Sequence, residues 1–256
     1  DLCDVEAEEF HKVQTRVLAA QKTTNLQDLD VEGLKALADG FIKVIEVATG
    51  KEFPTDPREH LIDSIEAVFR SWNSERATLY RRRELIPSDL GTAVNIQSMV
   101  FGNLSDDSGT GVAFTRNPSN GEIGSYGDYL QKAQGEDVVA GIRTPMSLDE
   151  FGVIEPRVHG ELEKIMVMLE AHYKDLCDIE FTIERGKLYI LQTRVGKRTA
   201  EAAFRIALQF VDEGTITMDE AIGRTSGDQL AMLMFPQFDT RGNLVEIARG
   251  IPASPG

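Results

Sequence analysis

The chain has 256 residues, and its hydrophobic content of 41% is enough to build the core of one large or two modest domains. Its formal net charge of −15 argues against a nucleic-acid partner, because proteins that bind a phosphate backbone present a basic surface. Two cysteines far apart in sequence, Cys3 and Cys177, argue against a disulfide framework, and no stretch approaches the roughly 20 apolar residues needed to cross a bilayer.

The first 50 residues are predicted to be helical. Apolar side chains recur there at helical spacing, and Asp30 stands where it would cap the second helix. A proline-bearing linker at residues 53–57 precedes another strongly predicted helix. The apolar stripe of that helix consists of Leu61, Ile65, Val68, Phe69 and Trp72.

Two conspicuous features of this region have ordinary structural explanations. The lone tryptophan, Trp72, is expected to pack in the core and not to stack on a substrate. The basic run Arg81, Arg82 and Arg83 lies near a helix end, where solvent exposure and a favourable helix dipole are the usual outcome. Neither feature therefore indicates a binding site.

The pattern changes to strands between about residues 90 and 199. Residues 94–100 are predicted to form a buried strand that pairs with residues 111–115 across a polar glycine loop. Gly124 and Gly127 are typical of a turn. The sequence therefore predicts an α+β protein whose strands follow a helical first part.

Helices are predicted on both sides of the last strands. An amphipathic helix precedes them, and His172 near its end is expected to interact with the helix dipole and not to bind a ligand. Its apolar positions are Val158, Leu162, Ile165, Leu169 and Tyr173. Two further helices are predicted in residues 200–235, with Gly214 and Gly223 as stop signals.

The most informative stretch is residues 178–194, which predict two alternating strands around a short glycine turn. A three-residue loop, residues 184–186, would place Gly186 in the left-handed conformation that closes a type I turn with a bulge. That loop sets Asp178 opposite Gln192. A two-residue loop would slip the register by one and send the carboxylates and the glutamine to opposite faces.

We expect the three-residue loop, because it gathers four polar side chains on one side of a hairpin whose other side is apolar. Directly opposed residues share a face of a sheet, and residues two apart on one strand do so as well. The four residues are Asp178, Glu180, Gln192 and Arg194.

Such a set suits a metal-bound triphosphate. Mg²⁺ takes oxygen ligands, usually one or two carboxylates, and fills its other positions with phosphate and water. The planar fork of an arginine matches a pair of phosphate oxygens. The pattern alone equally permits a solvated hairpin face that carries ordinary cross-strand ion pairs.

Longer blocks of sequence favour the nucleotide site, because residues 178–194 and several earlier blocks resemble the ATP-grasp nucleotide domain of pyruvate phosphate dikinases. The resemblance covers essentially the whole chain and is strongest from about residue 53 to residue 199. The earlier blocks are Phe-Arg-Ser-Trp at 69–72, Gly-Thr-Ala-Val-Asn-Ile-Gln at 91–97, Ser-Gly-Thr-Gly-Val-Ala-Phe-Thr-Arg-Asn-Pro at 108–118, and Ala-Gln-Gly-Glu-Asp-Val-Val-Ala-Gly at 133–141.

The resemblance implies a division of the chain into four parts. Residues 1–89 would be a helical part of the nucleotide domain, and residues 90–199 the C-terminal subdomain of an ATP-grasp fold with antiparallel strands. Residues 200–249 would form a helical linker. The closing Pro-Ala-Ser-Pro-Gly at 252–256 resembles the start of the swivelling phosphohistidine domain, so residues 250–256 would begin that domain.

The resemblance also implies roles for the four polar residues of the hairpin. Asp178, Glu180 and Gln192 would hold Mg²⁺ against the phosphates of ATP. Arg194 would bind the γ-phosphoryl group during transfer. The family reaction converts ATP, phosphate and pyruvate into AMP, pyrophosphate and phosphoenolpyruvate, and this chain's share would be transfer of the pyrophosphoryl group to a distant histidine.

Further nucleotide contacts are implied at four positions, each with an ordinary alternative. Thr110 and Gly111 would help to cover the phosphates, although glycine turns use the same residues. Gln97 and Glu136 would face the nucleotide, although a structural hydrogen bond and a plain loop carboxylate explain them equally well. The family usually has Gly-Glu-Phe-Leu at residues 127–130, so Asp128 is a poor candidate for an indispensable carboxylate.

The ends of the chain indicate a piece of a larger enzyme, since it begins without a methionine and stops inside a Pro/Gly motif. In the family, an N-terminal lobe carries a lysine and an arginine that hold the phosphates, and neither can be assigned in this sequence. None of the four histidines stands in a Gly-Gly-x-Thr-Ser-His context, so the acceptor histidine is expected elsewhere. They are His11, His60, His159 and His172.

The expected partners are therefore ATP, phosphate and the phosphohistidine domain of the same enzyme, with no nucleic acid and no membrane. A homodimer is expected for the full-length enzyme. The cytoplasm is the expected compartment, and an organelle stays open if a presequence precedes the chain. Two alternatives are retained: the ATP-grasp domain of a phosphoenolpyruvate synthase or related water dikinase, and an inactive structural or interaction module.

Overall fold

The computed structural model describes residues 5–140 and 143–235. The chain divides into two compact units between Gln97 and Ser98. The predicted boundaries at residues 90 and 200 stay predictions, and so does the assignment of residues 236–256, which lie outside the described part.

The first unit is helical, as predicted. Its helices are α1 (Ala7–Gln21), α2 (Val31–Thr49), α3 (Pro57–Ser71) and α4 (Glu75–Arg83), with a short 3₁₀ turn at Leu26–Asp28. The predicted cap of α2 is confirmed, because the Asp30 carboxylate accepts a hydrogen bond of 2.8 Å from the backbone N–H of Gly33.

The predicted exposure of the basic run is wrong for Arg81. This residue is buried, its guanidinium carbon lies 3.9 Å from the centre of the Trp72 ring, and it donates to the Trp72 carbonyl. Trp72 itself is only half-buried. The aromatic face attracts the cation, so Trp72 makes a cation–π contact with Arg81, where packing in the hydrophobic core was expected.

The second unit is built on an antiparallel sheet that is five-stranded in the described residues, with strand order β3-β2-β1-β4-β5. Together with the helices, this sheet confirms the α+β class. The strands are β1 (Gly109–Arg116), β2 (Ile123–Gln131), β3 (Met146–Ser147), β4 (Cys177–Glu184) and β5 (Lys187–Val195).

The helices of this unit precede and follow the last hairpin. They are α5 (Gly135–Ala140), α6 (Leu148–Ile154), α7 (Pro156–Tyr173), α8 (Ala200–Asp212), α9 (Met218–Arg224) and α10 (Gly227–Leu233). The amphipathic helix is confirmed as α7. Within the described residues, no helix is both long and apolar enough to cross a bilayer.

Four local predictions are wrong. Residues 200–235 form the three helices α8, α9 and α10, and not two. Residues 94–100 form no strand, because both edges of β1 are already paired, one with β2 and the other with β4. Gly124 and Gly127 lie inside β2 and not in a turn. Gly214 does follow the end of α8 with a φ of 71°, but Gly223 lies within α9 and stops nothing.

The larger buried cluster of the second unit lies on one face of the sheet, and a smaller cluster around α8 packs against Phe114 of β1. Ile179, Phe181 and Ile183 alternate along β4 and are almost completely buried against α6 and α7. Because strand residues alternate between faces, Asp178 and Glu180 must lie on the opposite face. Burial of the apolar set therefore fixes the direction of the acidic pair.

A buried arginine joins the sheet to two helices. Arg116, at the end of β1, binds Glu170 of α7 and Glu213 just after α8, with shortest distances of 2.8 Å and 2.6 Å. It also donates to Gln209 at 2.9 Å, and its guanidinium lies over the Phe210 ring. Charge-assisted pairs of this kind hold α7, α8 and β1 together.

Arg116→Ala should destabilise the second unit by about 3 kcal/mol, because it leaves two carboxylates without the cation that neutralises them. Lys164→Ala, which removes an exposed cation from α7, is the matched control and should change stability by less than about 0.5 kcal/mol. Amide hydrogen exchange of β1 and β4 measures this unit directly, whereas Trp72 fluorescence reports on the first unit. Equal exchange in the two variants would contradict the assignment.

Candidate functional site

The turn of the β4–β5 hairpin has two residues, so the predicted three-residue loop is wrong. Glu184 pairs with Lys187, and the two residues between them have positive φ, 50° at Arg185 and 69° at Gly186. Positive φ at both central positions defines a type I′ turn, whose twist matches that of the flanking strands.

Contacts from the preceding loop explain why an arginine tolerates the left-handed conformation. The backbone N–H of Arg185 donates to the Ser108 hydroxyl at 3.0 Å, and that of Gly186 donates to the Asp107 carbonyl at 2.9 Å. Arg157 donates to the Gly186 carbonyl. These bonds satisfy the turn's backbone groups and so offset its conformational cost.

A bulge in β5 restores the arrangement that the loop length alone would have destroyed. Phe181 pairs with Ile190 and Glu180 pairs with Gln192, so Leu191 is the extra residue. Beyond it, Asp178 pairs directly with Arg194. The expected pairing of Asp178 with Gln192 is therefore wrong, yet all four polar residues lie on one face, as predicted.

Arg194 pairs with both carboxylates of the hairpin, Asp178 and Glu180. Its Nη2 is in direct contact with Glu180 Oε1, and its Nε lies 3.9 Å from Asp178 Oδ2. The side chains are 49% exposed at Arg194, 38% at Glu180 and 23% at Asp178. The site is thus reachable from solvent, and Asp178 is its most enclosed charge.

Burial raises the pKa of the Asp178 carboxyl, and the charge of Arg194 opposes this shift only in part. A carboxylate in such an enclosed position is short of water and gains from a cation that it can bind. A carboxyl group with a pKa perturbed in this way is a candidate functional residue, and a metal ion or another cation beside it would stabilise its charged form.

A further acidic residue, Asp128, lies on the same face. Val112 of β1 lies between Asp128 and Glu180 in the sheet, because it pairs with Asp128 of β2 on one side and with Glu180 of β4 on the other. Two strand spacings separate the backbones by about 10 Å. Burial raises the pKa of Asp128 as well. Alternation along residues 126–130 would have revealed this position if that segment had been taken as a strand.

Thr110 and Gly111 occupy the centre of the sheet and not a loop. The buried Thr110 hydroxyl lies 3.1 Å from the Phe181 carbonyl and 3.2 Å from the Thr182 hydroxyl. Gly111 lies on the core face, where an added Cβ would come within 2.5 Å of the Phe181 ring. The structure does not bring Gly111 to the polar face, and phosphate contacts at these residues stay predictions.

The remaining predicted nucleotide residues are exposed. Glu136 lies in the first turn of α5, which follows β2. Gln97 is the last residue of the first unit and lies in a segment without helix or strand. Their roles at the nucleotide stay predictions.

The donor set fits Mg²⁺ that arrives with a nucleotide. Among residues 5–140 and 143–235, no group of three or more His, Cys, Asp or Glu side chains is arranged to hold a metal ion. Mg²⁺ does not require one, because it binds through one or two carboxylates and takes its other ligands from phosphate and water. Asp178, Glu180 and the amide of Gln192 match that need.

Asp178→Asn should stabilise the second unit at pH 7. Burial raises the pKa of Asp178 in the folded protein, so the unfolded chain loses this proton at lower pH than the folded one does. The stability of the unsubstituted protein therefore falls as pH rises from the ordinary aspartate pKa to the raised one. The advantage of the variant should therefore shrink as pH falls and vanish below that range. Hydrogen exchange between pH 3 and pH 7 checks this, with Glu161→Gln on the exposed side of α7 as the control. A pH-independent difference would contradict it.

The candidate site lies within the part of the chain that is similar to known proteins. The family model described as "Pyruvate phosphate dikinase, AMP/ATP-binding domain" matches residues 53–159 and 153–214, which include the whole hairpin. The pyruvate, phosphate dikinase of Clostridium symbiosum is 51% identical over 232 residues, 90% of this chain and 26% of that protein.

Pyruvate, phosphate dikinases of two other organisms have a similar level of identity to this chain. Pyruvate, phosphate dikinase 1, chloroplastic, of Arabidopsis thaliana is 47% identical over 96% of this chain and 26% of its own length. The pyruvate, phosphate dikinase of Giardia intestinalis is 47% identical over 90% of this chain and 26% of its own length. The chain thus spans about a quarter of the length of these curated relatives. It belongs to the pyruvate phosphate dikinase AMP/ATP-binding domain family, with an ATP-grasp fold.

Proposed function

We propose that this chain binds Mg-ATP and supplies the ATP-grasp site of a pyruvate phosphate dikinase. The observation that carries the proposal is the convergence of Asp178, Glu180, Gln192 and Arg194 on the solvent-facing side of one hairpin. Family membership supports the nucleotide, and the identity of 46–51% to pyruvate, phosphate dikinases supports the reaction class.

In this proposal the hairpin face neutralises a polyphosphate. The oxygens of Asp178, Glu180 and Gln192 would hold Mg²⁺, which supplies Lewis-acid stabilisation to the transferring group when bound. Arg194 would place its guanidinium fork against the γ-phosphoryl oxygens, where negative charge is spread in the transition state. Rigid β-strands suit both tasks, because positioning residues must hold their geometry during transfer.

The other predicted contacts have supporting roles in the proposal. Glu136 and Gln97 would face the nucleotide. Thr110 and Gly111 would lie beneath the phosphates, with Thr110 acting through the bond that joins β1 to β4. Each of these roles rests on the family resemblance.

The full reaction would run through parts of the enzyme outside this chain. ATP would give its β,γ-pyrophosphoryl unit to a histidine on the phosphohistidine domain, and phosphate would then take the γ group. Pyruvate would receive the remaining phosphoryl group to give phosphoenolpyruvate. A homodimer of the full-length enzyme is part of the same proposal.

Arg194→Ala and Glu180→Ala should each lower ATP-dependent phosphorylation of the histidine by on the order of 10³ or more, because the first removes a cation from the transferring group and the second removes a ligand of the Mg²⁺ that neutralises it. The experiment uses a polypeptide of the relatives' full length that carries this chain, with phosphate incorporation as the readout. Lys187→Ala, on the same strand as Arg194, is the control of equal charge change for Arg194→Ala.

Phosphorylation of the same histidine from phosphoenolpyruvate should survive in both variants. If both half-reactions fell together, the substitutions would be acting through folding or domain docking, and the site assignment would be wrong. Dependence on phosphate and release of pyrophosphate separate the dikinase from a water-using relative such as phosphoenolpyruvate synthase.

The isolated chain should bind Mg-ATP with a dissociation constant of about 1 mM or higher, which corresponds to a binding free energy of about −4 kcal/mol. The reason is that the family's upstream lysine and arginine, which hold the phosphates, cannot be assigned in it. Isothermal titration measures this affinity directly. A clearly tighter constant would show that the hairpin face holds a nucleotide alone. Binding that is unchanged by Glu180→Ala would place the nucleotide elsewhere.

A further inference from the structure

Arg194 already pairs with the two carboxylates that are proposed to bind a metal. Arg194 contacts Glu180 directly and lies 3.9 Å from Asp178. Among the residues that the structure describes, no other lysine or arginine forms an ion pair with either carboxylate. The guanidinium and a divalent ion would therefore compete for the same oxygen atoms.

The hairpin register explains how a single side chain reaches both partners. Arg194 stands directly opposite Asp178 and diagonally from Glu180, a spacing that a long side chain can span. Gln192, directly opposite Glu180, is uncharged and adds no competing cation. The register thus places one positive charge against two negative ones.

The strength of this contact allows exchange. The Arg194 side chain is about half exposed, and ion pairs at such positions contribute little to stability because water screens them. A fully buried pair would resist displacement, because breaking it would leave an enclosed charge without a partner. Here an arriving ion of higher charge can take the carboxylates and leave the guanidinium in solvent.

We infer that Arg194 is a placeholder cation, which neutralises Asp178 and Glu180 until a divalent metal displaces it and frees its guanidinium for phosphate oxygens. The inference rests on the proposed function. It couples two events that would otherwise be independent, because the arginine cannot bind the carboxylates and the γ-phosphoryl group with the same donors. Metal entry is then the step that makes the arginine available.

The test measures Mn²⁺ binding to the 256-residue chain without nucleotide, by electron paramagnetic resonance. Mn²⁺ shares the preference of Mg²⁺ for carboxylate, carbonyl and water oxygens. Arg194→Gln should bind Mn²⁺ at least about threefold more tightly than the unsubstituted chain, since the competing ion pair is gone. Arg194→Lys, which keeps the charge, should bind less tightly than Arg194→Gln.

Lys187→Gln is the matched control, because it removes the same charge from the same strand at a position that contacts neither carboxylate. It should leave the Mn²⁺ affinity within about twofold of the original, and Glu180→Gln should weaken binding in the presence or absence of Arg194. Circular dichroism confirms that each variant is folded. Equal affinities for Arg194→Gln and Lys187→Gln, or no Mn²⁺ binding in any variant, would overturn the inference.

The outcome can be separated from that of the proposed function. If the half-reactions respond to Glu180→Ala as expected while Mn²⁺ affinity ignores Arg194, the nucleotide site stands and the placeholder role is wrong. If Arg194→Gln tightens Mn²⁺ binding while histidine phosphorylation ignores both residues, the competition stands and the proposed reaction is wrong.

Discussion

The pairing of β4 with β1 on one side and with β5 on the other sets the framework of the candidate site. Burial of the apolar side chains of β4 against α6 and α7 leaves its acidic residues no choice of face. The energy that directs the carboxylates is therefore hydrophobic and is generated on the far side of the sheet. A polar site obtains its geometry from an apolar contact.

The charged groups of this unit follow two different rules. Arg116 is enclosed and matched by two carboxylates and an amide, so it serves to join helices to the sheet. Arg194 is half exposed and faces carboxylates whose geometry also suits a metal. Exposure separates the two roles more clearly than the identity of the partners, because both arginines pair with two acids.

Much of this arrangement could be predicted from sequence, because periodicity reports which residues are buried together. The helices of the first unit, the amphipathic α7 and the alternation of β4 all follow from that signal. Resemblance to a known family then selected a nucleotide site over an ordinary exposed hairpin face, which periodicity could not do.

The failures have physical causes that a local pattern does not contain. Residues 94–100 have the composition of a strand, but tertiary pairing had already used both edges of β1. The strand position of Asp128 was missed because Gly124 and Gly127 are turn residues by propensity and strand residues in the sheet. The turn length was wrong because contacts from residues 107 and 108 stabilise a conformation that arginine alone disfavours.

The bulge at Leu191 carries a consequence for how this hairpin can change in evolution. What must be conserved is the parity of the residue count between the facing polar positions, and not the length of the connection. A two-residue turn with one surplus residue and a three-residue turn with none both leave the acids, the amide and the guanidinium on one surface. Single-residue length changes in this hairpin are therefore tolerable in pairs.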